Sequence, residues 1–128
     1  MLCMRRGKLT QNGVHLEYHE YATVKIFLET GYDVTLIPPI QTKGMSTPDM
    51  EMSGIIWEMK SPQGKSKNTI KHTFQNAGHQ SSNVIIDLQR CKLADEDALK
   101  DIRYHYKISK RIKRLKVIMK DKKIIDIS

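Results

Sequence analysis

Two carboxylates and an ammonium stand close together in the stretch Pro48-Asp49-Met50-Glu51-Met52-Ser53-Gly54-Ile55-Ile56-Trp57-Glu58-Met59-Lys60. Ser53-Gly54 suits a two-residue hairpin turn. A hairpin centred there sets Asp49 across from Glu58, and the alternation of side chains puts Lys60 on the same face. The opposite face carries Met50, Met52, Ile55, Trp57 and Met59 and reads as core. Facing carboxylates, with Cβ atoms about 4.5–5.5 Å apart, repel each other. A divalent cation would relieve that repulsion, with Mg²⁺ expected and Mn²⁺ or Zn²⁺ as alternatives. Hydrolysis of a phosphodiester needs an activated water, charge stabilisation at the phosphoryl oxygens and help for the leaving oxygen. A hard cation on Asp49 and Glu58, joined by a backbone carbonyl such as that of Met59, could supply the first two. Lys60 would orient the water or stabilise the transition state. Glu51 shares the polar face and is the substitute for Asp49.

Other polar residues are candidates through their positions. Glu20 falls near the edge of the buried face of an expected helix, one turn from Leu16, Thr23, Val24 and Phe27. A carboxylate there is costly unless paired, protonated or metal-bound. Glu17 is nearly as well placed. Gln80 ends a second expected helix and could hydrogen-bond a water or a phosphate. His15 and His19 lie four apart, but no glutamate directly follows His15, so the HExxH pattern is absent. No serine has nucleophile-elbow glycines around it, and Cys91 has no histidine partner suggested by the sequence.

The elements that must position these groups follow from hydrophobic periodicity. Residues 1–14 read as a loose, polar N-terminal segment and 15–128 as one domain. A helix is predicted over 15–30 with Leu16, Tyr18, Tyr21, Ala22, Val24, Ile26, Phe27 and Leu28 as its apolar surface, and Gly31 stops it. A strand over 32–37 ends at Pro38-Pro39, and 40–47 is expected to be a mobile loop. The hairpin of 48–60 follows, then the breaker-rich loop Ser61-Pro62-Gln63-Gly64-Lys65. A helix over 68–80 precedes the apolar run 83–88, a buried central strand. A helix over 94–112 starts with Asp95, Glu96 and Asp97 and ends with Lys110 and Arg111, an order that suits the helix dipole. Strands over 115–119 and 124–127 close the domain around a turn at Asp121-Lys122. The order α-β-β-β-α-β-α-β-β describes an α/β domain with a mixed central sheet flanked by helices.

Composition narrows the partners. The chain has 128 residues, enough for one core. No apolar run reaches the ~20 residues of a membrane span. The segment after Met1 lacks the apolar stretch of a signal peptide. The two cysteines, Cys3 and Cys91, suggest no disulfide framework. A net charge of +8 favours polyanionic partners, above all nucleic acid. Residues 101–128 hold ten Lys or Arg against three aspartates. Lys107, Lys110, Arg111, Lys113, Arg114 and Lys116 from this tail, with Lys65, are expected to contact phosphates. No aromatics interleave with the tail lysines, which argues against a base-stacking platform there.

Pro48-Asp49 followed by Glu58-Met59-Lys60 resembles the signature of the PD-(D/E)XK nuclease superfamily, whose frame is a helix, a β-meander carrying the signature, a helix and a strand. Closer still, residues 15–127 resemble the C-terminal tRNA nuclease domain of contact-dependent growth inhibition (CdiA-type) toxins. The resemblance rests on Gly31-Tyr32-Asp33-Val34, Pro48-Asp49, Trp57-Glu58-Met59-Lys60-Ser61-Pro62, Gly64-Lys65-Ser66, Thr69-Ile70, Gln80-Ser81-Ser82-Asn83-Val84-Ile85-Ile86-Asp87-Leu88 and the basic tail. It implies a restriction-endonuclease-like fold and a metal-dependent endonuclease acting on tRNA. It further implies delivery into the cytoplasm of a rival bacterium and an immunity protein as partner. The superfamily's first-helix glutamate maps to Glu20 and its second-helix glutamine to Gln80. A DNA endonuclease of the same fold and a non-catalytic nucleic-acid-binding module are the alternatives.

Overall fold

The computed structural model describes residues 5–39 and 47–128, so the loop expected over 40–47 lies, apart from Thr47, outside the described residues, as does Cys3. In chain order the elements are β1 (Leu9–Thr10), α1 (Tyr18–Glu29), β2 (Val34–Leu36), β3 (Met50–Met52), β4 (Ile55–Lys60), α2 (Thr69–Gly78), β5 (Asn83–Asp87), α3 (Asp95–Ile108), β6 (Arg114–Ile118) and β7 (Ile124–Asp126). The strands form one seven-stranded sheet in sequence order. β4, β5 and β6 are parallel neighbours, while β2, β3 and β4 run antiparallel, as do β6 and β7. The α/β architecture and the mixed central sheet expected from the sequence are present, with one addition. Leu9–Thr10, inside the segment expected to be loose, pairs in parallel with Val34–Thr35.

Alternation along β5 divides the core in two. Ile85 packs with Val24, Phe27 and Leu28 of α1, with Met50 and Met52 of β3, and with Trp57 of β4. Val84 and Ile86 face the other way, onto Ile70, Phe74 and Ala77 of α2 and Ala98 and Ile102 of α3. The sheet therefore has α1 on one face and α2 with α3 on the other. Apolar residues on both faces of β5 explain why its sequence reads as a continuous apolar run.

The helix ends are set by local hydrogen bonding. α1 starts at Tyr18 rather than at 15, because Glu17 takes extended backbone as N-cap and forms a capping box with Glu20. α3 stops at Ile108, short of 112. There Ser109 turns extended, and its Oγ accepts the N–H groups of Arg111 (3.3 Å) and Ile112 (3.1 Å). The bases of the last turn are consequently His105 and Lys107, and Lys110 and Arg111 lie beyond the helix. Tyr18 and Tyr21, expected in the core, are 92% and 41% exposed.

Candidate functional site

The β3–β4 hairpin is built as the sequence predicts, up to Asp49. Ser53 (φ 55°) and Gly54 (φ 75°) both take the left-handed backbone that a type I′ turn requires. The register pairs Met52 with Ile55, Glu51 with Ile56 and Met50 with Trp57. The next bonded pair would join residues 48 and 59, but Pro48 has no N–H to give. Asp49 instead donates its own N–H to Trp57 O (3.0 Å), so two successive residues of one strand face Trp57 in the manner of a β-bulge. The Asp49 carbonyl accepts the Ile37 N–H (3.0 Å), which ties this bend to the end of β2. The expected ladder pairing of Asp49 with Glu58 is corrected accordingly. The Asp49 side chain reaches past Glu58, and its Oδ2 accepts the Met59 N–H (2.8 Å).

Asp49, Glu58 and Lys60 still meet, on the α2–α3 side of the sheet, because Trp57 and Met59 face the α1 side. Glu58 is 2% exposed. Its Oε2 takes the Lys60 ammonium at 3.2 Å, while its buried Oε1 has no hydrogen-bond partner. The Asp49 carboxylate lies within hydrogen-bonding reach of Glu58. Two carboxylate oxygens can satisfy one another only with a proton or a cation between them. Burial, then the charge of Asp49 and the hydrogen bond with it, push the Glu58 carboxyl up to about 8 against the opposing pull of Lys60. An orphaned buried oxygen beside a second carboxylate fits a divalent cation. Among the described residues no group of three or more His, Cys, Asp or Glu could hold a metal. Asp49 and Glu58 would therefore supply the protein's carboxylates, leaving the remaining positions to water, backbone or substrate oxygen, as suits Mg²⁺.

The other sequence candidates are distributed around this centre. Glu51 is exposed one pair further along the hairpin. Glu20 is spent on the capping box, with its Oε1 accepting the Glu17 N–H (2.9 Å), and its helix packs on the opposite face of the sheet. Gln80 sits just past α2, next to Ser81, whose Oγ reaches Ile56 O (3.3 Å) at the far end of β4 from Lys60. Lys65, Lys107, Lys110, Arg111, Lys113 and Arg114 are exposed. Arg111 lies against His79 (2.9 Å), and Arg114 against Asn83 (3.4 Å). Lys116 departs from the expectation of a free phosphate ligand. Its ammonium is 2.5 Å from Asp126 Oδ1 and sits over the rings of Tyr32 and Trp57.

Two features were missed in the sequence. Arg90 anchors its guanidinium on Ser61, directly after Lys60, through Nε to Oγ (3.0 Å) and Nη2 to O (2.9 Å). Asp87 is as buried as Glu58, but Thr23 Oγ1 (2.5 Å), Gln89 N (2.8 Å) and Gln89 Nε2 (2.9 Å) all donate to it. Asp87 and Thr23 lie 64 positions apart, and only the folded sheet shows that they meet.

Comparison with known proteins gives two findings. Residues 46–124 match the family described as the contact-dependent growth inhibition CdiA C-terminal domain. The fold is similar to a solved structure described as a CdiA-CT/CdiI toxin and immunity complex from Burkholderia pseudomallei. That similarity has a TM-score of 0.69 and 18% identity, over 94% of this chain and 98% of that one. No curated protein sequence matches.

Proposed function

The chain belongs to the contact-dependent growth inhibition CdiA C-terminal domain family, and from that premise we propose that it is the toxic domain itself, a metal-dependent endonuclease of the PD-(D/E)XK type that hydrolyses tRNA. One observation carries the reading: Asp49, Glu58 and Lys60 converge on one face of the sheet with Glu58 Oε1 buried and without a partner. Asp49 and Glu58 are the residues that would hold a divalent cation, which when bound lends a hydrolase Lewis acidity and lowers the pKa of water. The protein's own part is positional. Met59 N–H fixes the Asp49 carboxylate. Lys60, already 3.2 Å from Glu58, places a positive charge where the phosphorane charge develops. The exposed bases around Lys107–Arg114 and Lys65 hold the polyanion by its phosphates. The solved relative is a toxin and immunity complex, which supports a cognate immunity protein as the natural partner here and action inside the recipient cell.

The test sets total tRNA and plasmid DNA side by side with the purified domain, with Mg²⁺ or with EDTA. The expected outcome is tRNA cut only when the ion is present and plasmid left intact. Plasmid cut with tRNA spared would transfer the assignment to DNA. Cleavage undiminished in EDTA would remove the metal from the account.

A further inference from the structure

A second crevice opens on the α1 side of the sheet, outside the carboxyl ends of β4, β5 and β6. Its volume is about 330 Å³, and Tyr18, Tyr21, Ser61, Gln89, Arg90 and Lys122 are among the residues that line it. That size lies within the ~300–1,000 Å³ of small-ligand sites, and the carboxyl ends of parallel strands are where open α/β sheets bind ligands. Tyr18 and Tyr21 are three apart on α1, so their rings stand on one helix face. They are also exposed, although apolar burial would ordinarily claim them.

The charges facing the crevice resolve into pairs and a remainder. Asp87 is saturated by Thr23 and Gln89. Lys25 and Glu29 pair at 3.7 Å, and His19 lies 3.5 Å from Glu17. Arg90 and Lys122 are left as cations. Arg90 is held by Ser61, the residue after Lys60, so the crevice reaches the end of β4, whose last residue belongs to the proposed scissile centre on the other face of the sheet.

We propose that this crevice takes one unstacked nucleobase of the substrate strand. The base stacks on Tyr18 and Tyr21, and its phosphate lies on Arg90. The proposal rests on the nuclease reading and adds to it a preference for single-stranded or loop nucleotides. A base inside a helix has both faces covered, so only a splayed base can stack on a tyrosine.

The test measures binding rather than cleavage. A short single-stranded RNA carrying 2-aminopurine and a blunt duplex of the same sequence are titrated with Glu58→Gln protein in EDTA, and probe integrity is checked on a gel. Adding Tyr18→Ala and Tyr21→Ala should weaken single-strand affinity about tenfold or more, abolish the change in 2-aminopurine fluorescence and leave duplex affinity unchanged. Tyr18→Phe with Tyr21→Phe should restore binding. Circular dichroism confirms folding, which such exposed positions should not disturb. Equal losses on both probes, or no loss, would overturn the proposal. So would a loss confined to binding of an immunity protein, which would make the tyrosines a protein contact. Cleavage persisting in Glu58→Gln would instead sink the assignment of the catalytic centre to Asp49, Glu58 and Lys60 while leaving the split between probes readable.

Discussion

Glu58 and Asp87 are two carboxylates on adjacent strands, each 2% exposed, and their surroundings are opposites. Asp87 receives three donors and ties α1 to the end of β5. Glu58 has a lysine at one oxygen, none at the other, and a second carboxylate beside it. Burial alone therefore separates neither role. Asp87 has the environment of a structural acid, whose buried charge is fully satisfied by the chain. Glu58 has the environment of an acid that something outside the chain completes. The hairpin reinforces this difference, since the Met59 N–H holds the Asp49 carboxylate in place beside Glu58.

Breaking each carboxylate's environment in turn separates the two roles. The largest expected effect is on turnover. Glu58→Gln should lower tRNA cleavage at least ~100-fold, the scale seen when even a supporting partner of a metal site is lost. Thr23→Val, which removes the hydroxyl facing Asp87, should leave turnover per folded molecule intact. The order reverses for stability. Thr23→Val should cost about 1–3 kcal/mol by urea denaturation, the cost of a hydrogen bond lost to a buried charge. Equal damage to turnover from both changes would erase the distinction.

A smaller and graded effect is expected with pH. The Glu58 carboxyl titrates near 8 in the folded chain, against 4.5 as its ordinary value. Between those values the folded state holds the extra proton, so this group's contribution to stability is full below about 4.5 and is lost as pH rises through 8. The metal-free wild type should therefore lose stability relative to Glu58→Gln between pH 5 and 8. Two parallel urea series would show this, and a constant difference would contradict it.

The sequence made the hairpin legible because its determinants are local. Ser53-Gly54 and strict alternation set the turn and the register, and the apolar run of β5 marked the centre of the sheet. Asp49 was placed on the correct face, but the bulge that sets both Asp49 and Met50 against Trp57 was not foreseen. Tyr18 and Tyr21 were misread because α1 is apolar around most of its circumference, and periodicity cannot choose a face there. Lys116 looked like one more tail base until β6 turned it toward Tyr32 and Trp57. Arg90 with Ser61, and Asp87 with Thr23, are long-range pairs that no local pattern contains.

Direct titration of Mn²⁺ into wild-type and Glu58→Gln protein by calorimetry, at pH 6 and pH 8, tests the central claim that Asp49 and Glu58 form a cation site. The account predicts wild-type binding that tightens from pH 6 to pH 8 with proton release at the lower pH, as expected when a ligand must deprotonate, and loss of that binding in Glu58→Gln. Binding that is equally tight at both pH values, or unchanged in Glu58→Gln, would contradict it.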